Sequence, residues 1–218
     1  MSGTVRLVDL SHTITDGLVT YKGLPAPLIC DYLSRDASRA VYAEGTTFQI
    51  GKIEMVANTG TYLDSPYHRF ETGTDIGGLA LAQVAGLDAV VVRATQRVID
   101  RDVFESLDVR GKAVLVHTGW STHWATDQYF EGHPFLTAAA ARDLRDRGAV
   151  LVGIDSLNID DTADGTRPVH TTLLGANILI VEHLCALDQV PATGFTFSAV
   201  PAKVAGMGTF PVRAFATL

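Results

Sequence analysis

The chain has 218 residues, 47% hydrophobic and 19% charged, with a formal net charge of -7. A chain of this length can bury about 70% of its unfolded surface without disulfide or metal staples, and the high apolar fraction with so modest a net charge excludes disorder as its main state. The acidic balance, with no Lys/Arg stripe, argues against a nucleic-acid partner. The longest apolar stretch, Leu79–Val92, is broken by Gln83, Gly86 and Asp88 and falls short of the ~20 residues of a membrane span.

Met1–Ile14 shows no basic segment followed by an apolar run, so no secretory signal is expected and the location reads as cytoplasmic. Cys30 and Cys185 then read as reduced thiols, buried as small hydrophobes. No repeat or Pro/Gly/Ser-rich linker divides the chain, and a single domain over 1–218 is expected.

In chain order, strands are predicted at Val5–Asp9, Phe48–Met55 and Ala89–Ala94, with helices at Ile76–Ala85 and Arg101–Leu107. The clearest unit follows. Ala113–His117 is a β-branched apolar run of the kind buried in a parallel sheet. Thr118–Phe135 is a long loop rich in rings, a candidate binding loop. Thr137 is placed to cap an Ala-rich helix ending near Arg147, with Gly148 just beyond, and Ala149–Ile154 is the next buried strand. A strand, a helix and a strand imply a right-handed parallel crossover. Further strands are predicted at Asn177–Val181, Thr196–Pro201 and Pro211–Phe215, giving a mixed α/β domain around a central sheet.

Polar residues concentrate in three segments. Asn58–His68 (N-T-G-T-Y-L-D-S-P-Y-H) holds Asp64 and His68, readable as a ligand pair or an acid–base pair, or as a cap and a surface histidine. In Gly153–Asp161 (G-I-D-S-L-N-I-D-D), Asp155 directly follows a buried strand and reads best as a structural carboxylate accepting backbone N–H bonds. Asp160–Asp164 reads as solvated loop. The third segment runs from His170 through a short turn and an apolar strand to Glu182, and its two ends meet only if the chain folds back. There is no G-x-S-x-G elbow, P-loop, G-x-G-x-x-G, H-E-x-x-H or C-x-x-C.

Together with D-L-S-H at Asp9–His12, T-G-W at Thr118–Trp120 and G-I-D-S at Gly153–Ser156, these segments resemble the cyclase / kynurenine formamidase-like hydrolases over nearly the whole chain. The resemblance implies a swivelling β/α/β fold, a homodimer or homotetramer, and metal-assisted chemistry on a small-molecule substrate. Against the family signature H-x-G-T-H-x-D-x-P-x-H, the residues Gly60, Thr61, Asp64, Pro66 and His68 match. Asn58 and Tyr62 stand where the family has metal-binding histidines. By the resemblance, Asp64, His170 and Glu182 are metal ligands and His68 is the general acid/base.

An amide and a phenol are poor zinc ligands, so three states stay open: one divalent metal (zinc or manganese) at Asp64, His170 and Glu182, a harder ion on oxygen ligands, or no metal. The expected function is a hydrolase or cyclase acting on the carbonyl of a small cyclic or aromatic amide, lactone or ketone. His68, Tyr62 and Glu182 are the candidate catalytic residues, with Tyr62 as electrophilic stabiliser if no metal binds. Asn58, Trp120 and Trp124 are the candidate substrate contacts. The alternative is an inactive small-molecule-binding protein of the same fold.

Overall fold

The computed structural model describes residues 5–218, so the first four residues of the predicted domain and of the signal reading lie outside the described residues. The chain builds strands β1 (Leu7–Asp9), β2 (Leu28–Leu33), β3 (Ile50–Glu54), β4 (Tyr62–Asp64), β5 (Leu87–Arg93), β6 (Val98–Ile99) and β7 (Ala113–His117). Then come β8 (Phe135–Leu136), β9 (Leu151–Ile154), β10 (Leu179–Glu182), β11 (Phe195–Ser198), β12 (Thr209–Pro211) and β13 (Phe215–Thr217). The helices are α1 (Arg35–Ser38), α2 (Ala138–Asp146) and α3 (Pro168–Leu174). No helix among the described residues is long and apolar enough to cross a membrane.

Nine strands form one mixed sheet in the order β1-β13-β11-β5-β7-β9-β10-β4-β12. The four central strands, β5, β7, β9 and β10, run parallel. They are apolar on both faces because both faces are covered. Ala89, Val91, Ala113, Leu115 and Leu151 point into one core, with Leu63, Phe195 and Phe197. The alternate residues Val90, Val92, Val114, Val116, Val152 and Ile154 point into the other, under Leu144 of α2 and Leu173 of α3.

The predicted parallel unit is present. Thr137 caps α2 by accepting from Ala140 N–H at 3.1 Å, and Gly148 beyond it takes a φ of +84°. The mixed α/β fold around a large, curled sheet is as expected. Pro211–Phe215, predicted as one strand, is instead a crossing between two: β12 pairs β4 at one end of the sheet, and β13 pairs β1 and β11 near the other. Only residues 212–214 separate them, a span of at most about 14 Å. The sheet must therefore curl until its ends nearly meet.

The helices predicted at Ile76–Ala85 and Arg101–Leu107 are only short 3₁₀ turns, at Ile76–Gly78, Leu81–Gln83 and Arg101–Phe104. Asp75 caps the first turn by accepting from Gly78 N–H, but Gly77 and Gly78 stop it from propagating as a helix, and Asp100 accepts from the adjacent Arg101 N–H to hold a tight turn. The predicted Phe48–Met55 strand is β3, which with β2 forms a separate antiparallel ribbon. That ribbon leaves Leu28, Tyr32, Ile50 and Ile53 exposed. Cys30 lies on it and is exposed, and Cys185 is half-buried, so neither thiol is the buried hydrophobe expected.

Candidate active site

Three adjacent strands assemble the site by register. In β4, Tyr62 and Asp64 are two residues apart and so share a face. Glu182 of β10 is the cross-strand partner of Tyr62, and Thr209 of β12 is the partner of Asp64. Cross-strand partners bring their side chains together on one face. Gly60, with a φ of +67°, turns the chain into β4, where a Cβ would lie 2.7 Å from Ile14 Cγ1. A 3₁₀ turn at Pro66–His68 follows β4 and swings His68 back over the strand end. Gly208 permits that approach, because a Cβ there would sit 2.5 Å from His68 Cα and N.

His170 comes from α3, which Asp160 fixes in place. The Asp160 carboxylate accepts from Val169 N–H at 2.7 Å, from His170 N–H at 3.0 Å, and bonds His170 Nδ1 at 2.6 Å. Asp160 is fully buried, not solvated loop as its sequence suggested, because these three donors consume it. With Nδ1 bound, His170 turns Nε2 toward Asp64 Oδ2 at 3.7 Å and Glu182 Oε1 at 3.8 Å. The two ends of the His170–Glu182 segment thus meet.

Proton positions follow from counting donors. Thr209 has one hydroxyl hydrogen and gives it to Asp64 Oδ1. Thr209 Oγ1 must then accept from His68 Nδ1–H, 2.8 Å away. His68 therefore keeps the lone pair on Nε2. Burial alone would raise the Asp64 pKa, but the neighbouring His68 and His170 imidazoles and the Thr209 hydrogen bond outweigh it and hold the carboxyl below its usual range. Burial would lower His170, yet its bond to Asp160 and the nearby Asp64 and Glu182 carboxylates lift it to about 10. Burial pushes Glu182 up to about 7.

Tyr62 belongs to a second hydrogen-bonded chain. Its hydroxyl donates to Glu182 Oε2 at 2.6 Å. That fixes His183 Nε2–H as donor to the phenol oxygen at 3.3 Å, and Tyr129 O–H as donor to His183 Nδ1 at 2.8 Å. Burial, then the charge of His12, pushes His183 down to about 3, so it stays neutral in this chain. Burial, and then Glu182, holds the Tyr62 phenol well above its usual range.

The donor set fits one divalent cation. Asp64 and His170 each offer a ligand atom, and an atom of His68 lies within 4.8 Å of both; its Nε2 lone pair can serve a cation or a proton but not both, so a cation on Asp64 and His170 leaves His68 free as a base. Asp64 Oδ2 is buried without a hydrogen-bond partner, an acceptor left over for such an ion. The Asp160–His170 bond is the carboxylate support that metal-ligating imidazoles usually carry. The other family position does not fit a second ion, since the Tyr62 phenol is neutral and both its hydrogen bonds are made.

These residues face a cavity of about 410 Å³ lined by Asn58, Tyr62, His68, His170 and Glu182, with Tyr21, Lys22, Leu24 and Arg167 at its opening. Trp120 and Trp124 are placed elsewhere. Trp124 stacks on His12 at 4.0 Å and packs edge-on against Tyr129 and His183. Trp120 Nε1 donates to Tyr129 O. The rings thus pack the loop down behind the Tyr62 chain. Asp155 accepts from Thr118 N–H, Thr118 O–H and Gly119 N–H, the structural role its sequence suggested. Thr209, His183 and Tyr129 escaped the sequence reading. The place of His183 after a strand and of Tyr129 in the ring-rich loop hinted at those two, and nothing marked Thr209.

The curled mixed sheet with an Asp–His–His donor group at the ends of its strands defines a cyclase-fold protein with a site for one cation. The Cyclase family model matches residues 8–161, and the chain belongs to that family. It is 30% identical over 173 residues to the kynurenine formamidase of Geobacillus thermodenitrificans, covering 79% of this chain and 81% of that one. A solved "potential metal-dependent hydrolase with cyclase activity" is 27% identical, with a TM-score of 0.81 over 98% of both chains. Isatin hydrolase A from Labrenzia aggregata shares the fold at 22% identity, with a TM-score of 0.83 over 100% of this chain and 95% of that one.

Proposed function

We propose that the protein is a hydrolase of small amides, cleaving the C–N bond of an aromatic or cyclic substrate in the cavity over Asp64 and His68. One observation carries the reading: the Asp64–Thr209–His68 chain leaves an imidazole lone pair on the lining of a single cavity, with an unpartnered Asp64 carboxylate oxygen buried beside it. The similarity to a kynurenine formamidase supports the amide as substrate class.

Asp64 and His170, with Glu182 beside them, are the residues that would hold a divalent cation, zinc or manganese. Such an ion supplies a Lewis acid that polarises the substrate carbonyl. His68 Nε2 takes a proton from the attacking water and returns it to the leaving nitrogen. Thr209 holds His68 in the tautomer that does this. Asp160 orients His170. Tyr62 keeps Glu182 in place, and Asn58 faces the substrate from the cavity wall. The exposed apolar ribbon β2–β3 supports the homodimer or homotetramer expected of the family.

The test is a panel of N-formyl aryl amines, lactams and aryl lactones assayed with the wild type and with His68→Ala. Turnover of at least one amide, lost by about 10²–10⁴-fold in the variant, is the expected result. Ligand binding without turnover on any member would favour the inactive small-molecule-binding alternative.

A further inference from the structure

At the deep side of the cavity the charges are paired, with His170 set among Asp64, Asp160 and Glu182. Its exposed side is basic. Lys22 and Arg167 both line it, beside the Tyr21 phenol. In a chain of net charge -7, two cations on the rim of one cavity are a local reversal.

Arg167 is built into its position. It takes a left-handed backbone conformation, φ 48° and ψ 61°, which an L side chain adopts only when its surroundings impose it. Its Nη1 donates to Asp161 O at 2.8 Å and to Asp164 O at 3.4 Å, tying the guanidinium to the loop. The Tyr21 phenol lies near it on the same cavity lining. Arg39, Arg145, Arg147 and Arg213 each pair with a carboxylate. Among the described residues Arg167 forms no ion pair. A guanidinium carries five N–H donors in a planar fork, so the two carbonyls and the phenol leave donors for one more acceptor. Lys22 is less committed: its Nζ lies 5.1 Å from the Phe130 ring centroid and 3.8 Å from Glu131 Oε1, an exposed pair that competes weakly for it.

We propose that the rim is an anion subsite: substrates of this site carry a carboxylate, read by Arg167 with Lys22 in support, at the end remote from the carbonyl attacked over His68. Arg presents the planar fork that a carboxylate matches with two parallel hydrogen bonds. The two rim cations orient a substrate that has one anionic end. This inference rests on the hydrolase reading for the identity of the attacked bond. The subsite itself is tested by binding alone.

Two measurements on the purified protein test it. The first is calorimetric titration with benzoate and with benzamide, before and after chelation. Benzoate is expected to bind ten- to a hundredfold tighter than benzamide, with the preference kept after chelation and lost in Arg167→Gln. A preference that survives Arg167→Gln, or that vanishes on chelation, would place the anion on the floor and overturn the proposal. Lys22→Gln, at an exposed position that folding does not need, should weaken benzoate at least threefold and leave benzamide unchanged. No change would remove Lys22 from the subsite.

The second measurement separates a carboxylate carried by the substrate from one released by hydrolysis. 3-Formamidobenzoate should be cleaved with a kcat/KM at least tenfold above that of 3-formamidobenzamide, and Arg167→Gln should level the two. Equal wild-type rates would mean that the rim holds product, against the proposal. If neither compound is cleaved while benzoate keeps its Arg167-dependent preference, the hydrolase reading falls and the subsite stands.

Discussion

Replacing Thr209 by Val keeps the β-branched shape on β12 and removes one oxygen. That oxygen gives its hydrogen to Asp64 Oδ1 and accepts from His68 Nδ1 at 2.8 Å. Losing the bond to His68 frees the ring to rotate and to carry its proton on either nitrogen. A hydrogen bond to a charged group contributes about 1.5–3 kcal/mol, and each 1.36 kcal/mol of barrier is tenfold in rate, so kcat should fall about 10- to 150-fold. Asp64 Oδ1 also loses its donor while buried, which should cost about 1–3 kcal/mol of stability. The assay is initial-rate hydrolysis of an N-formyl aryl amine, with bound metal and thermal melting measured on the same samples. KM should change little, because Thr209 does not line the cavity. Thr209→Ser, which restores the hydroxyl, should recover most of kcat. A Val variant with full kcat, or a Ser variant as impaired as Val, would refute the tautomer argument.

Gly208→Ala puts a Cβ 2.5 Å from the His68 backbone, so it should displace the turn and lower both activity and melting temperature, whereas Gly86→Ala, with open space around it but a left-handed φ of +65°, should lower the melting temperature and leave activity intact. Asp160→Asn keeps the shape of the His170 support but weakens its charge, and should lower metal affinity about 10- to 100-fold as read by competition with a chromophoric chelator. His133 is 3% exposed and burial pushes it down to about 4, so the unfolded state takes up its proton first as pH falls. Stability is then lost between about pH 6.5 and pH 4, and this residue accounts for about 2 kcal/mol of it at pH 5. His133→Leu should lose less stability than the wild type between pH 7 and pH 5, measured by denaturant midpoints.

The buried parallel strands were readable because each is a β-branched apolar run that needs both faces covered. Ala113–His117 coincides with β7, and Leu151–Ile154 falls inside its predicted run. The α2 helix was readable from its Thr137 cap and Gly148 stop. The short 3₁₀ turns around Ile76–Gln83 were not, since their apolar spacing imitates a helix while Gly77, Gly78 and Gly86 break it. β4 is three residues long and carries the polar side chains of the site, so no periodicity could mark it as the strand that organises everything else.

At the site, Asp64, His68, His170 and Glu182 stood out as residue types, and the family resemblance joined them. Their register was out of reach: Tyr62 opposite Glu182 and Asp64 opposite Thr209 depend on β4 lying between β10 and β12, which are far from it in sequence. Thr209 in M-G-T-F-P has no local signature at all. Asp160 looked solvated because all four of its following neighbours are polar or small. Its burial is decided by α3 packing its first N–H groups onto it. Trp120 and Trp124 were read as a substrate cover from ring content alone, which cannot tell packing behind a site from packing over it.

Metal content and activity measured together on the wild type and His68→Ala test the central claim most directly. The protein should be purified without added metal or a metal-binding tag and measured by elemental mass spectrometry. The account predicts about one equivalent of zinc or manganese in both proteins, with turnover of an N-formyl aryl amine present in the wild type and lost in the variant. Loss of the metal in His68→Ala would make His68 a ligand and not the base. No metal in the wild type, and none taken up on addition, would contradict the cation site at Asp64 and His170.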